Sequence, residues 1–331
     1  MKAIRFAGAG RPLNMETVPD PEPGPGWVVV DIEAAGLCHS DLHIMSGMDL
    51  GDLTVKAPLT LGHEGAGVIS SVGEGVRDFA VGDRVGIALV SHPIEDALFA
   101  PGVGHDGAFA ERELAHVSTL VHIPDNVTFA EAAVATDSVA TAYHAVRTAG
   151  SVRRGRTVGV IGLGGLGLNG VRIAALLGAT VYGVDVNPAT FGPAQDAGAT
   201  ACFHDVRQLA DRRPDVIVDF AGVASTVAAA VESVRPGGCV VLVGLGGAVA
   251  EISIAAMVMR NVRLVGSLGA SKDELREVYE LIASGALKPA VQEVPFAELP
   301  AAMDLTGGQG RIRTTGYAPS PGDTHIPPAL I

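Results

Sequence analysis

Three cysteines in 331 residues, Cys38, Cys202 and Cys239, are too few for a disulfide scaffold and predict a chain at home in a reducing cytoplasm. Positive charge is scarce as well. Lys and Arg number 23 against 36 Asp and Glu, the net charge is −13, and no basic cluster exists. Nucleic-acid affinity rests on neutralising phosphates, so no nucleic-acid partner is expected. No apolar run is long enough to predict a membrane span. The most apolar region, Cys239 to Met259, is broken by Gly244, Gly246, Gly247 and Glu251, and reads as a buried strand, a glycine turn and a second buried segment. The opening MKAIRFAGAG has no apolar core of signal-peptide length. Aromatics make up only 4%, whereas apolar residues reach 48% and charged ones 18%, which excludes a disordered chain. The length suffices for two domains, each with its own core.

What is abundant is glycine, 43 residues, and its placement carries information in one stretch above all. Thr157 to Ile161 reads as an apolar strand, followed by Gly162, Gly164 and Gly167 in a G-x-G-x-x-G run, a helix of small and aliphatic residues, and a second strand, Thr180 to Val184, ending on Asp185. Strand, glycine turn, helix, strand and acid are the context a dinucleotide fingerprint requires. Gly162 permits the tight turn, Gly164 lets a pyrophosphate approach the backbone, and Gly167 lets the helix pack close to the sheet. The helix N-terminus offers N–H groups and positive dipole to the phosphates. Asp185 suits a ribose 2′-hydroxyl and would repel a 2′-phosphate, which favours NAD over NADP.

Short strands with glycine turns fill the first third: Lys2 to Phe6, Trp27 to Ala34, Val68 to Val72, and a turn at Val81 to Val85 entering another strand. They suggest a partly closed, mainly β domain. Residues 90 to 107 read as a loop, and Thr128 to Ala149 as a helix containing Asp137. From Ser151 strands alternate with helices, the signature of a doubly wound parallel sheet, and Lys272 to Ala283 is an amphipathic helix. The tail returns to β texture, and Ser320 to Ile331 reads as a proline-rich surface arm.

The metal-capable residues Cys38, His39, Asp41, His43, His63, Glu64 and Asp137 lie near turns of the first domain, apart from Asp137. Zinc favours thiolate, imidazole and carboxylate, and a catalytic site uses three protein ligands. Taken singly, Cys38 reads equally as a buried, inert thiol. Asp137, in an otherwise apolar helix, requires a partner: an arginine, a helix end or a metal.

Several blocks run in a fixed order over nearly the whole chain: Gly36-Leu37-Cys38-His39-Ser40-Asp41, Gly62-His63-Glu64-Gly65-Ala66-Gly67, Gly82-Asp83-Arg84-Val85, Gly107-Ala108-Phe109-Ala110-Glu111, the Gly162–Gly167 turn and Gly310-Arg311. In these the sequence resembles the zinc-containing alcohol dehydrogenase branch of the medium-chain dehydrogenase/reductase family. The resemblance implies a GroES-like catalytic domain, residues 1–138 and 282–331, split around a Rossmann cofactor domain, residues 139–281. It implies Cys38 and His63 as zinc ligands, Glu64 beside the metal as an exchangeable ligand or a group behind the ligands, and Asp41 on the far N–H of His63. It further implies a proton relay from Ser40 through the cofactor ribose to His43, and pyrophosphate contacts from His39 and Arg311. Leu89 and Leu42 become candidate walls of the substrate pocket.

Two departures qualify the resemblance. Where the family's usual third ligand is a cysteine, four residues before a T-x-Y segment, this chain has Asp137 before Thr141-Ala142-Tyr143. The expected triad is therefore Cys38, His63 and Asp137, with one catalytic zinc per chain. The rival reading is a weakened or metal-free site. The four-cysteine structural zinc lobe of many relatives is impossible here, because its counterpart at Leu89 to Gly107 contains no cysteine. The implied activity is reversible NAD-linked oxidation of an alcohol to an aldehyde or ketone, by a cytoplasmic homodimer or homotetramer without a membrane partner. A reductase of C=C or C=N bonds is the alternative, and a non-enzymatic binding protein the remaining one.

Overall fold

The computed structural model describes residues 1–47, 56–89, 100–306 and 329–330. The chain divides into two compact units, residues 1–138 with 269–331, and residues 139–268.

The first unit is built from antiparallel strands. β1 (Lys2–Phe6) pairs with β2 (Asn14–Thr17) and with β4 (Leu59–Thr60). A larger sheet centres on β3 (Trp27–Ala35), flanked by β5 (Gly65–Val72) and β7 (Arg112–His116). β6 (Arg84–Ile87) and β8 (Leu120–His122) extend it beyond β5. Val28, Val30, Ile32, Ile69, Val85, Ile87 and Phe109 form its core. Alternation along β3 follows the period of two that a strand imposes, with Asp31 and Glu33 on the less buried positions.

The second unit is a six-stranded parallel sheet. Its strands are β9 (Thr157–Ile161), β10 (Thr180–Val184), β11 (Ala199–Phe203), β12 (Val216–Asp219), β13 (Cys239–Leu242) and β14 (Arg263–Gly266). They lie in the order β11-β10-β9-β12-β13-β14. The chain order reverses between β9 and β12, and dinucleotides bind outside the carboxyl ends of strands at such a switch point. The α/β class expected from the sequence is thus the one observed.

Three expectations need correction. The return to the first unit comes at Gly269, ahead of residue 282. Helix Lys272–Ala283 buries Leu275, Val278, Tyr279 and Ile282 in the first unit, each contributing about 1.5–3 kcal/mol. The Tyr279 hydroxyl donates to the Ala132 carbonyl at 3.2 Å and occupies the space above Gly86, where a Cβ would lie 1.9 Å from it. An amphipathic helix after a strand looks like one more βα unit, and only its burial partners decide otherwise. The segment after the glycine turn in the Cys239–Met259 region is not buried: Ile254–Met259 is a short helix with Ile254, Val258 and Met259 exposed at 77%, 70% and 83%. In the tail, β15 (Val294–Pro295) pairs with β16 (Ala329–Leu330), which continues onto β3, so the last residues of the expected arm join the sheet. The rest of that arm and most of the loop expected at 90–107 (residues 90–99) lie outside the described residues. Among the described residues, no helix is long and apolar enough to cross a membrane.

Candidate active site

Three segments of the first unit bring the metal-capable residues together. β3 ends at Ala35, and Cys38 then caps helix α1 (His39–Ser46) in an extended conformation. The loop Leu61–Glu64 joins β4 to β5. Residues 108 and 109 strap it down: the Ala108 N–H donates to the Gly62 carbonyl at 2.9 Å and the Phe109 N–H to Leu61 at 3.0 Å. Gly62 has φ +93°, and a Cβ there would meet Phe109 at 2.6 Å, which explains the glycine before His63. The third segment is helical. Thr128 caps α2 (Phe129–Val134) through a reciprocal bond with Glu131, and the helix widens into a π turn over Ala135–Val139 that carries Asp137.

The Cys38 sulfur, a His63 nitrogen and an Asp137 oxygen all lie within 4.8 Å of one another, and all three residues are buried. His63 Nε2 is 3.4 Å from Asp137 Oδ2, and Nδ1 is 3.2 Å from Asp41 Oδ1. Among the described residues, neither nitrogen has a partner that meets full hydrogen-bond geometry. Ligands held at about 2.0–2.1 Å around a tetrahedral ion sit about 3.3 Å apart, so the His63–Asp137 spacing fits a shared cation. Electrostatics point the same way. Burial raises the Cys38 thiol, and the Asp137 and Glu64 charges add to the rise against His63. Burial alone would depress His63, but the Asp41 charge and the contacts with Asp137, Asp41 and Cys38 push it well above its ordinary value. Glu64 is raised to about 8 by burial and by Asp137. A divalent cation would offset the negative charge that these buried groups gather.

Around the triad, Asp41 accepts the Cys38 N–H at 3.2 Å through Oδ2. The Ser40 hydroxyl lies 3.5 Å from the Cys38 sulfur. His43 is half-buried in the last turn of α1, and burial lowers its pKa. His39 is exposed in the first turn of α1. Leu42 packs against the core of the unit, and Leu89 is half-buried.

In the second unit Gly162 follows β9 with φ +80° and Gly164 caps helix α3 (Gly165–Leu176). A Cβ at Gly164 or Gly165 would meet nothing within 4 Å, whereas one at Gly167 would lie 1.7 Å from the Gly162 carbonyl oxygen. The turn is therefore open on its outer side and closed on its inner side. Asp185 follows β10 and accepts the N–H groups of Leu163 and Asn187, each at 2.8 Å. Arg311 lies outside the described residues.

Profiles of two protein families match the chain: "Alcohol dehydrogenase GroES-like domain" over residues 24–125 and "Zinc-binding dehydrogenase" over residues 165–284. The chain is 32% identical to a NAD-dependent alcohol dehydrogenase of Sulfurisphaera tokodaii over 319 residues, 88% of this chain and 92% of the relative. It is 33% identical to an alcohol dehydrogenase of Geobacillus stearothermophilus over 339 residues, 94% and 98%. The chain belongs to the zinc-containing alcohol dehydrogenases. Among solved structures, the dehydrogenase superposes on acetophenone reductase from Geotrichum candidum, in complex with NAD, with a TM-score of 0.84 at 31% identity over 93% of this chain and 94% of that one.

The cysteine-to-aspartate departure thus leaves the dehydrogenase with an intact Cys-His-Asp set. Reading the sequence left two residues without a role. Ser138, which follows Asp137 in the chain, bonds Glu64, a partner that no local pattern announces. Glu113 escaped notice, although it is 2% exposed and neither carboxylate oxygen has a hydrogen-bond partner among the described residues. Its only sequence signal is a charge on an inward position of β7.

Proposed function

We propose that the protein oxidises an alcohol reversibly to an aldehyde or ketone with NAD, using Cys38, His63 and Asp137 to hold one zinc ion. The mutual spacing of these three buried donor groups carries the reading. Bound there, zinc would supply Lewis-acid polarisation of the substrate oxygen, and NAD would supply the hydride acceptor. The chain's own residues do the rest. Asp41 Oδ1 orients His63 from its far side and fixes which ring nitrogen faces the metal. The Ser40 hydroxyl, close to the Cys38 sulfur, accepts the proton of the substrate hydroxyl as it gives its own to the relay that ends at His43. His43, kept neutral by its lowered pKa, serves as the base that passes a proton to solvent. Glu64 is a buried carboxyl group behind the ligands. Gly162, Gly164 and Gly167 seat the pyrophosphate, His39 and Arg311 are the further residues assigned to it, and Asp185 binds the adenosine ribose. Leu42 and Leu89 line the pocket of an apolar alcohol.

The protein works in the cytoplasm, which its three free thiols support, as a homodimer or homotetramer. The edge strand β14 and the exposed Ile254, Val258 and Met259 support a self-associating surface.

Elemental analysis of the native protein and of Asp137→Ala, with NAD-linked oxidation of an alcohol panel on the same samples, tests the reading. One zinc per chain, lost together with activity in the variant, is expected. Hydride transfer by a native protein without zinc would transfer the assignment to a reductase of C=C or C=N bonds.

A further inference from the structure

Two buried carboxylates outside the triad tie its three segments to one another. Asp41 is the first: it reaches the Cys38 N–H at 3.2 Å, the Gly62 N–H at 3.4 Å and His63 Nδ1 at 3.2 Å, joining the first segment to the second. Glu64 is the second, and its neighbours are telling. It follows the ligand His63 in the chain and is fully buried. Its Oε1 accepts both the backbone N–H of Ser138, at 3.0 Å, and the Ser138 hydroxyl. Ser138 in turn follows the ligand Asp137. The residue next to one ligand is therefore bonded twice to the residue next to another.

The seat of Glu64 is fixed on its remaining side by Gly36, two residues before Cys38. The Gly36 N–H donates to the Glu64 carbonyl at 2.7 Å, and a Cβ on Gly36 would lie 1.7 Å from Glu64 Oε2. One side chain thus packs against all three ligand-bearing segments. The Ser138 end of the tie lies on the π turn, where the helix departs from regular α geometry and the position of Asp137 is least determined by the helix itself.

We propose that Ser138 is a positioning residue of the metal centre: through Glu64 it sets where the Asp137 turn stands against the His63 loop, and so how tightly the triad holds its cation. This rests on the zinc reading of the triad. Residues behind metal ligands govern affinity by orienting them, typically by about ten- to hundredfold.

The test is a zinc competition against a colorimetric chelator, run on the full-length parent, Ser138→Ala, Glu64→Ala, Glu64→Gln and the double variant Ser138→Ala/Glu64→Ala, with visible spectra of the cobalt-substituted proteins. Ser138→Ala loses the hydroxyl bond but keeps the amide one, and should bind zinc about tenfold more weakly with a shifted cobalt spectrum. Glu64→Ala should lose up to about a hundredfold. Glu64→Gln, whose amide oxygen accepts both bonds, should stay within about threefold of the parent. The double variant should bind no more weakly than Glu64→Ala, because both changes remove one interaction. A parent that takes up one zinc and an equally tight, spectrally unchanged Ser138→Ala would overturn the tie alone. A parent that takes up no zinc would overturn the zinc reading and the tie with it. Ser138→Ala keeps the test decisive if Glu64→Ala does not fold.

Discussion

The metal pocket of the first unit and the glycine turn of the second are electrical opposites. The pocket gathers buried acids, a thiol and an imidazole, and suits a cation. The turn offers the positive end of α3 and suits an anion. They also fail in opposite ways. A pocket made of side-chain atoms is harmed by taking atoms away. A turn made of backbone is harmed by adding them, since Gly167 has no room for a single carbon.

The largest expected effect tests the first half of that contrast. His63→Ala should remove the zinc and lower kcat/KM by about 10³-fold or more, several kcal/mol of transition-state stabilisation. NAD affinity, measured by fluorescence titration, should hold. Next comes the second half: Gly167→Ala should keep its zinc but lose NAD affinity and about 1–3 kcal/mol of stability. Zinc loss in that variant would break the contrast. Asp185→Ala is a deletion within the turn, and removes an acceptor of the Leu163 and Asn187 N–H groups. It should weaken NAD by about ten- to hundredfold in the same titration, with zinc content unchanged.

The smallest effect concerns Glu113, a buried acid of the first unit whose carboxylate has no hydrogen-bond partner among the described residues. Burial pushes its carboxyl well above the usual range. The unfolded chain ionises such a group near about pH 4.3. The stability of the neutral, buried form is therefore complete below that pH and drains away as pH rises toward the folded-state value, by up to about 1.4 kcal/mol per pH unit. Glu113→Val lacks this slope, so its melting-temperature advantage over the parent should widen between about pH 5 and about pH 8. A constant gap would show that Glu113 is paired in solution.

The same contrast explains what could be read in advance. The turn is local: Gly162, Gly167 and Asp185 are dictated by backbone geometry within one stretch, so their spacing carries meaning without a structure. The pocket draws on residues 38, 63 and 137, and nothing in local sequence links them. Cys38 alone reads as an ordinary core thiol, and it needed the ordered blocks of a family resemblance to become a ligand. Ser138 stayed silent, and Gly36 counted only as part of an ordered block, because their roles depend on where Glu64 points. The placement of helix Lys272–Ala283 was misjudged because amphipathic periodicity reports that a face is buried and not what buries it.

The π turn at Ala135–Val139 makes Asp137 a matter of phase. Each residue of an α-helix advances the chain by about 100°, so an inserted or deleted residue between the Thr128 cap and Asp137 would swing the carboxylate about a quarter-turn around the helix. Composition, hydrophobicity and the acid itself would survive such a change. The donor would simply face elsewhere, and a sequence comparison that tolerates one gap in this helix would count three ligands where the folded chain presents two.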